Sequence, residues 1–310
     1  MADFETLSQD IYCIDALYVK PRVASIYLVR EGDEVAIVET GTLHSLENVL
    51  ATMEALEIDR SQIKYVIPTH VHLDHAGGAG SMMRHFEQAE LLIHPRGAAH
   101  MINPEKLIAG TVGVYGQETF ERLYGKIEPI DETRVRIIED GETASLESRE
   151  LVFIDTPGHA YHHFCIYDAS SGGVFTGDSF GISYDPMKLL ANGLLPSTPP
   201  TQFDPPALHA TVDKIMNFQP QRLYLTHYGE YLNPAARADS FHRWIDRYVE
   251  MTGEFHPQDA DDSDELENEL TRVVLESLSD TPQSLDRILK TDLHLNAQGL
   301  AWWWQKTQNA

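Results

Sequence analysis

Residues 65–80 read YVIPTHVHLDHAGGAG, and this stretch constrains the chain more than any other. An apolar run ends at Pro68-Thr69, and the next six positions hold four side chains able to bind a metal: His70, His72, Asp74 and His75. In an extended segment alternate side chains share a face, so the spacing predicts His70, His72 and Asp74 pointing into one pocket. His75 breaks that alternation and is expected to aim elsewhere, which suits a second ion. The small residues at 76–80 let backbone and metal approach closely where the chain bends into a helix.

The flanking sequence alternates strand and helix signals. Short β-prone runs at 11–16, 24–30 and 34–39 read as a meander. Over 43–56, Leu46, Val49, Leu50, Met53 and Leu56 recur at helical intervals and predict an amphipathic helix covering a sheet. Residues 63–67 form a buried strand that delivers the histidine cluster. A helix at 80–88, a strand at 90–94 and a helical region over 96–126 follow. Further strands are expected at 134–138, 150–155, 164–167, 173–176 and 222–226, with helices at 205–216 and 235–251. Two sets of strands, each followed by helices, with chemistry at the strand ends, predict two sheets packed face to face and flanked by helices. The proline-rich stretch 181–203 is expected to be an ordered loop at the rim of a site. The acidic run after His256 reads as a solvated linker and a helix start, and 266–304 as three short helices. The expected division is a catalytic domain over 1–255 and a helical extension over 256–310 that caps it or packs on it.

Charge narrows the range of partners. With 23 basic and 48 acidic side chains the chain carries a net charge of −25, which repels phosphate backbones and anionic lipid heads. A small-molecule substrate is therefore expected, with neither nucleic acid nor membrane as partner. The cysteines, Cys13 and Cys165, lie in strand-like apolar runs and read as reduced core residues. The stretch MADFETLSQD has no basic region followed by an apolar one, so the cytoplasm is the expected location. Trp302, Trp303 and Trp304 suit core or oligomer contacts, with a homodimer as the assembly to look for.

More candidate ligands follow apolar strands. Thr156-Pro157-Gly158-His159 comes after 151–155, Thr176-Gly177-Asp178 after 173–175, and Thr226-His227 after 222–225. Imidazole and carboxylate donors without thiolate suit a catalytic site for divalent zinc, iron or manganese. Seven such donors are too many for one tetrahedral ion and about right for two ions sharing a bridging carboxylate and a bridging water. Such a pair lowers the pKa of the water to ~7 and polarises a substrate oxygen.

THVHLDH at 69–75, TPGHA around His159, TGD ending at Asp178 and the late His227 resemble the metallo-β-lactamase superfamily in its glyoxalase II-like hydrolase branch, over residues 11–227. The resemblance implies an αββα sandwich of two mixed sheets with metals at the sheet edges. It also implies His70, His72 and His159 on one metal, Asp74, His75 and His227 on the other, and Asp178 bridging, so that Asp74 and Asp178 are the carboxylates nearest the chemistry. Family members commonly carry an aspartate before Thr-Gly behind the metal ligands. This chain has Glu39 before Thr40-Gly41, which can play the same role with a longer side chain. His163, soon after His159, is a second candidate for supporting the ligands. Tyr184, Met187 and Lys188 are candidates to line the substrate pocket, and Tyr228 to assist an oxyanion.

The expected activity is hydrolysis of a small ester, thioester or lactone by a metal-bridging hydroxide. No basic cluster follows Asp178 to meet the carboxylates of glutathione, Lys188 being isolated there. The C-terminal extension resembles that of capped members, including quinolone-pathway thioesterases. Two further readings stay open: a phosphodiesterase on a small phosphodiester, and a diiron or mono-iron protein reacting with oxygen or persulfide.

Overall fold

Both faces of the inner strands are covered, so their sequences run apolar without a polar position to alternate with. A computed structural model of the chain describes residues 3–199, 201–257, 263–278 and 284–308. The chain forms two compact units. The first comprises Met1–Asp155, His162–Gly177 and Arg222–Glu230; the second comprises Thr156–Tyr161, Asp178–Gln221 and Tyr231–Ala310.

In the first unit β1 (Phe4–Thr6), β2 (Ile11–Asp15), β3 (Ser25–Glu31) and β4 (Glu34–Val38) form an antiparallel meander. Three parallel strands extend it: β5 (Ile63–Ile67), β6 (Glu90–Ile93) and β7 (Val135–Ile137). The other sheet takes β8 (Thr143–Leu146), β9 (Arg149–Asp155), β10 (Phe164–Asp168) and β11 (Gly173–Gly177) antiparallel, then β12 (Arg222–Leu225) parallel to β11, with β13 (Gly229–Leu232) at its edge. Both sheets are mixed, as expected. Between strands lie α1 (Leu46–Ala55), α2 (Leu73–Ala76), α3 (Ala79–His85), α4 (Pro95–Ile102), α5 (Glu105–Tyr115) and α6 (Gln117–Tyr124). The single helical region expected over 96–126 is thus three helices.

Alternation along β3 explains how the sheets meet. Ile26 and Leu28 join the core beneath α1 and α3, with Val49, Met53, Met82 and Phe86. Tyr27, between them, faces the other sheet. Its hydroxyl donates to the Leu225 carbonyl at 2.5 Å, and its ring meets Phe175 and Tyr224 edge-on at 5.3 and 5.6 Å. Such ring pairs contribute about 0.5–1.5 kcal/mol each beyond the area they bury.

The second unit holds α7 (Pro205–Met216), α8 (Ala238–Phe255), α9 (Asp264–Ser277) and α10 (Ser284–Gln308). Three short helices were expected over 266–304. Instead α10 runs unbroken for 25 residues, because Leu285, Leu289, Leu293, Ala297, Leu300 and Ala301 are buried at helical intervals throughout. Residues 258–262, where the acidic linker was expected, and 279–283 lie outside the described residues. Since α8, α9 and α10 pack on one another, a boundary at 255–256 passes between helices of a single unit. Of the tryptophans, Trp303 meets Phe203 edge-on at 6.2 Å, Trp304 lies 5.2 Å from His256, and Trp302 is exposed. Among the described residues, no helix is long and apolar enough to cross a membrane.

One ion pair inside the first unit ties the sheets together. Arg149 on β9 is 2% exposed and grips Asp168 on β10 through Nε and Nη2, while its Nη1 donates to the carbonyls of Gln9 and Arg30 at 2.7 and 3.1 Å. Replacing one member of such a pair strands a buried charge. Arg149→Ala is expected to cost about 3–5 kcal/mol in chemical denaturation, and replacing both members together by apolar residues to cost less than that single change.

Candidate metal centre

Two Thr-His dipeptides end parallel-paired strands of the first unit: Thr69-His70 after β5 and Thr226-His227 after β12. Both threonines turn to Glu39, which follows β4 and is 1% exposed. The Glu39 carboxylate accepts from Thr69 Oγ1 at 2.6 Å, Thr69 N at 3.0 Å, Thr226 Oγ1 at 2.9 Å and His75 Nδ1 at 2.9 Å. Three of these donors converge on Oε1 and one reaches Oε2, so both oxygens of the buried charge are hydrogen-bonded. Glu39 sits at φ +67°, in the left-handed region. A non-glycine residue there costs roughly 1 kcal/mol or more, which the four bonds offset.

The extended run stops at His72, which has φ −62° and ψ 147° and precedes the helical turn α2. Asp74 and His75 therefore lie on that turn. The alternation that put Asp74 on one face with His70 and His72 does not hold, because a helix turns each successive side chain by about 100°. In consequence Asp74 groups with His75 and His227, whose candidate ligand atoms all lie within 4.8 Å of one another. Asp74 Oδ2 is 3.5 Å from His227 Nε2 and 3.8 Å from His75 Nε2.

Hydrogen bonds set the chemistry of these rings. His227 Nδ1 donates to the Val23 carbonyl at 2.8 Å, and His75 Nδ1 donates to Glu39. A neutral imidazole so held carries its lone pair on Nε2, the form that ligates a metal. Burial raises the pKa of Asp74, but His75, His227 and His72 in their protonated forms outweigh it and hold the carboxyl well below the usual range, a role a bound cation would take over once the rings are neutral. An ionised carboxylate with two oriented imidazoles is a donor set that fits a divalent transition ion. His70 Nδ1 lies 3.1 Å from Thr69 Oγ1, and His70 Nε2 faces His72 Nδ1 at 2.9 Å, a spacing at which two nitrogens can engage one ion.

The second unit carries the other two expected ligands and orients both through Ser197. The Ser197 carbonyl accepts from His159 Nδ1 at 3.0 Å, its hydroxyl donates to Asp178 Oδ2 at 3.1 Å, and His159 Nε2 is 3.5 Å from that same oxygen. Ser197 is held in turn by α10. Asn296 donates to the Pro196 carbonyl at 3.0 Å and accepts from Thr198 N at 2.7 Å, while a Cβ on Gly299 would meet the Thr198 carbonyl at 1.6 Å. In the first unit Gly177, at φ +48°, passes so close to His163 Nε2 and Thr69 Oγ1 that an added Cβ would lie 2.4 Å from each. Only glycine fits there.

The remaining candidates are placed as follows. The buried His163 ring stacks on His70 with centroids 4.8 Å apart. Tyr228 is buried, with the Arg22 guanidinium 4.4 Å over its ring, and burial pushes its phenol well above the ordinary value, so it stays a neutral donor. In the second unit Met187 and Tyr184 are buried, the latter donating to Asp292, and Lys188 pairs with Asp185 at 3.0 Å. Tyr184, Met187 and Tyr228 are thus interior side chains, and Lys188 has an acidic neighbour. Sequence reading passed over the roles of Thr69, Thr226, Ser197 and Asn296. The repeated Thr-His at strand ends was the available signal for the first two.

Residues 19–227 match the model of the metallo-beta-lactamase superfamily. Among curated proteins, the acyl-coenzyme A thioesterase MBLAC2 of Homo sapiens is 25% identical over 187 residues, 56% of this chain and 64% of that protein. A hydroxyacylglutathione hydrolase of Aeromonas hydrophila is 26% identical over 155 residues, 50% of this chain and 45% of that protein. The chain thus spans less than two thirds of the length of either relative. Among solved structures, the metallo-beta-lactamase family protein TTHA1429 of Thermus thermophilus superposes with a TM-score of 0.69 at 18% identity, covering 98% of this chain and 95% of that one.

Glu39→Gln removes the charge behind His75 and is expected to weaken metal binding about 10–100-fold in an equilibrium titration with zinc. Asn296→Ala leaves the Pro196 carbonyl and Thr198 N without their side-chain partner. A stability loss of about 1–3 kcal/mol is expected on denaturation.

Proposed function

Because the chain belongs to the metallo-β-lactamase superfamily, we propose that it is a metal-dependent hydrolase that cleaves the acyl bond of a small ester, thioester or lactone. The observation that carries this reading is the group formed by Asp74, His75 and His227, in which both imidazoles are fixed through Nδ1 and the carboxylate is held ionised. With His70, His72, His159 and Asp178 it makes up the seven-donor set that the family pattern implies for two divalent ions. Bound at such residues, zinc, iron or manganese supplies Lewis acidity and brings the pKa of a coordinated water to ~7.

The chain's own side chains do the rest. Glu39 and the Val23 carbonyl keep the His75 and His227 rings from turning. Asp74 stays ionised at neutral pH and can share in holding the ions. Asp178 is the other carboxylate available for this, its Oδ2 oriented by the Ser197 hydroxyl. An acyl substrate is favoured over a nucleic acid by the net charge of −25, which repels polyanions. The similarity to an acyl-coenzyme A thioesterase and a hydroxyacylglutathione hydrolase points the same way.

Purified protein reconstituted separately with zinc, manganese and iron, then assayed on model thioesters, lactones and bis-aryl phosphates, tests the proposal. Acyl turnover that disappears with a chelator and returns with metal is expected, and His227→Ala is expected to lower it at least ~100-fold, the scale of losing a catalytic charge stabiliser. Turnover of the phosphodiester alone would make the protein a phosphodiesterase. One iron per chain with oxygen consumption would replace hydrolysis altogether.

A further inference from the structure

Outside the seven donors, a second pair of histidines lies between α7 and α8. Each helix carries a histidine and an aspartate one turn apart: His209 and Asp213 on α7, His242 and Asp246 on α8. Their pairing is crossed. His209 Nε2 lies 3.1 Å from Asp246 Oδ1, and His242 Nε2 lies 3.3 Å from Asp213 Oδ1. The two rings lie edge to edge and nearly coplanar, with centroids 4.9 Å apart and planes 10° apart, and their Nδ1 atoms face each other at 2.6 Å.

An ionised carboxylate only accepts, so each ring turns an Nε2–H toward its aspartate and carries its lone pair on Nδ1. Two lone pairs 2.6 Å apart repel unless a positive centre lies between them. A shared proton meets that need, and so does a metal cation. A carboxylate behind an imidazole whose other nitrogen binds metal is the arrangement that fixes the ring and raises its basicity. Here it occurs twice, from two helices, on one pair of nitrogens. The histidine side chains are 29% and 24% exposed, so water can reach the edge of the pair.

We propose that His209 and His242 bind a divalent transition-metal ion through their Nδ1 atoms, with Asp246 and Asp213 holding the rings from behind. Zinc bonds of ~2.0–2.1 Å at a tetrahedral angle set the nitrogens roughly 3.3 Å apart, so the rings draw apart and tilt until both lone pairs point at the ion, which their partly exposed position allows, and water completes the shell. Imidazole donors favour zinc, nickel or copper over magnesium or calcium. The two aspartates balance the charge of the ion, and the acidic surface raises the local concentration of cations. Bound there, the ion links α7 to α8. None of the four residues belongs to the proposed hydrolytic site, so the inference stands apart from that reading.

The test compares metal-stripped wild type with two double variants, His209→Ala/His242→Ala and Asp213→Asn/Asp246→Asn, in equilibrium titrations with zinc. The histidine variant is expected to bind one ion per chain fewer at saturation. The aspartate variant keeps both imidazoles and changes only side chains that are mostly exposed, so it should fold as wild type does. It is expected to keep the stoichiometry while one class of site weakens about 10–100-fold. Unchanged ion count and affinity in the aspartate variant, or an unchanged count in a folded histidine variant, would show that a proton alone joins the rings and would overturn the proposal.

Discussion

The buried carboxylate of Glu39 is the interaction on which the first unit's metal-binding residues depend. It receives donors from the ends of β5 and β12 and from α2, so the neighbouring β5 and α2 and the distant β12 are fixed to one charged group. A buried charge is costly unless fully paired, and here the pairing itself does the positioning. His75 is held directly. Thr69 bonds both Glu39 and the His70 ring, and Thr226 brings the adjacent His227 to the same place. The departure from aspartate to glutamate at this position goes with a left-handed backbone at Glu39.

The second unit solves a similar problem with neutral groups. Ser197 offers its carbonyl to His159 and its hydroxyl to Asp178, and α10 clamps the residues on either side through Asn296. The C-terminal helix therefore stands in the line of support of two candidate ligands. A description of it as an appended cap leaves out that role. The loop that carries Ser197 forms an isolated bridge between Ile182 and Leu195, and side chains from helices, Asn296 and Trp244, reach in to bond its backbone.

Legibility from sequence followed the range of the interactions. Strands at 24–30, 63–67 and 164–167 were readable because apolar runs and turn residues are local, and the candidate ligands were readable because they follow those runs directly. The short strands Phe4–Thr6, Thr143–Leu146 and Gly229–Leu232 were missed, since three or four residues give too little periodicity. Alternation alone puts Asp74 on the wrong face, while the family resemblance groups it with His75 and His227, because the onset of a four-residue helical turn leaves no mark that an extended reading would notice. Asn296 and Ser197 are 99 positions apart in the chain, and His209 and His242 are 33 apart. Neither pairing has a local signature, and only folding brings them together.

Each Thr-His dipeptide carries a ligand and the hydroxyl that anchors it on adjacent residues just past the end of a strand whose register fixes both. A one-residue slip would turn both side chains to the wrong face, so the pair can be inherited only together with its strand. The 181–203 loop has no such ladder behind it. Over evolutionary time the Thr-His groups are thus bound to the scaffold, while the loop that carries Ser197 is open to exchange wherever an anchor like Asn296 is retained.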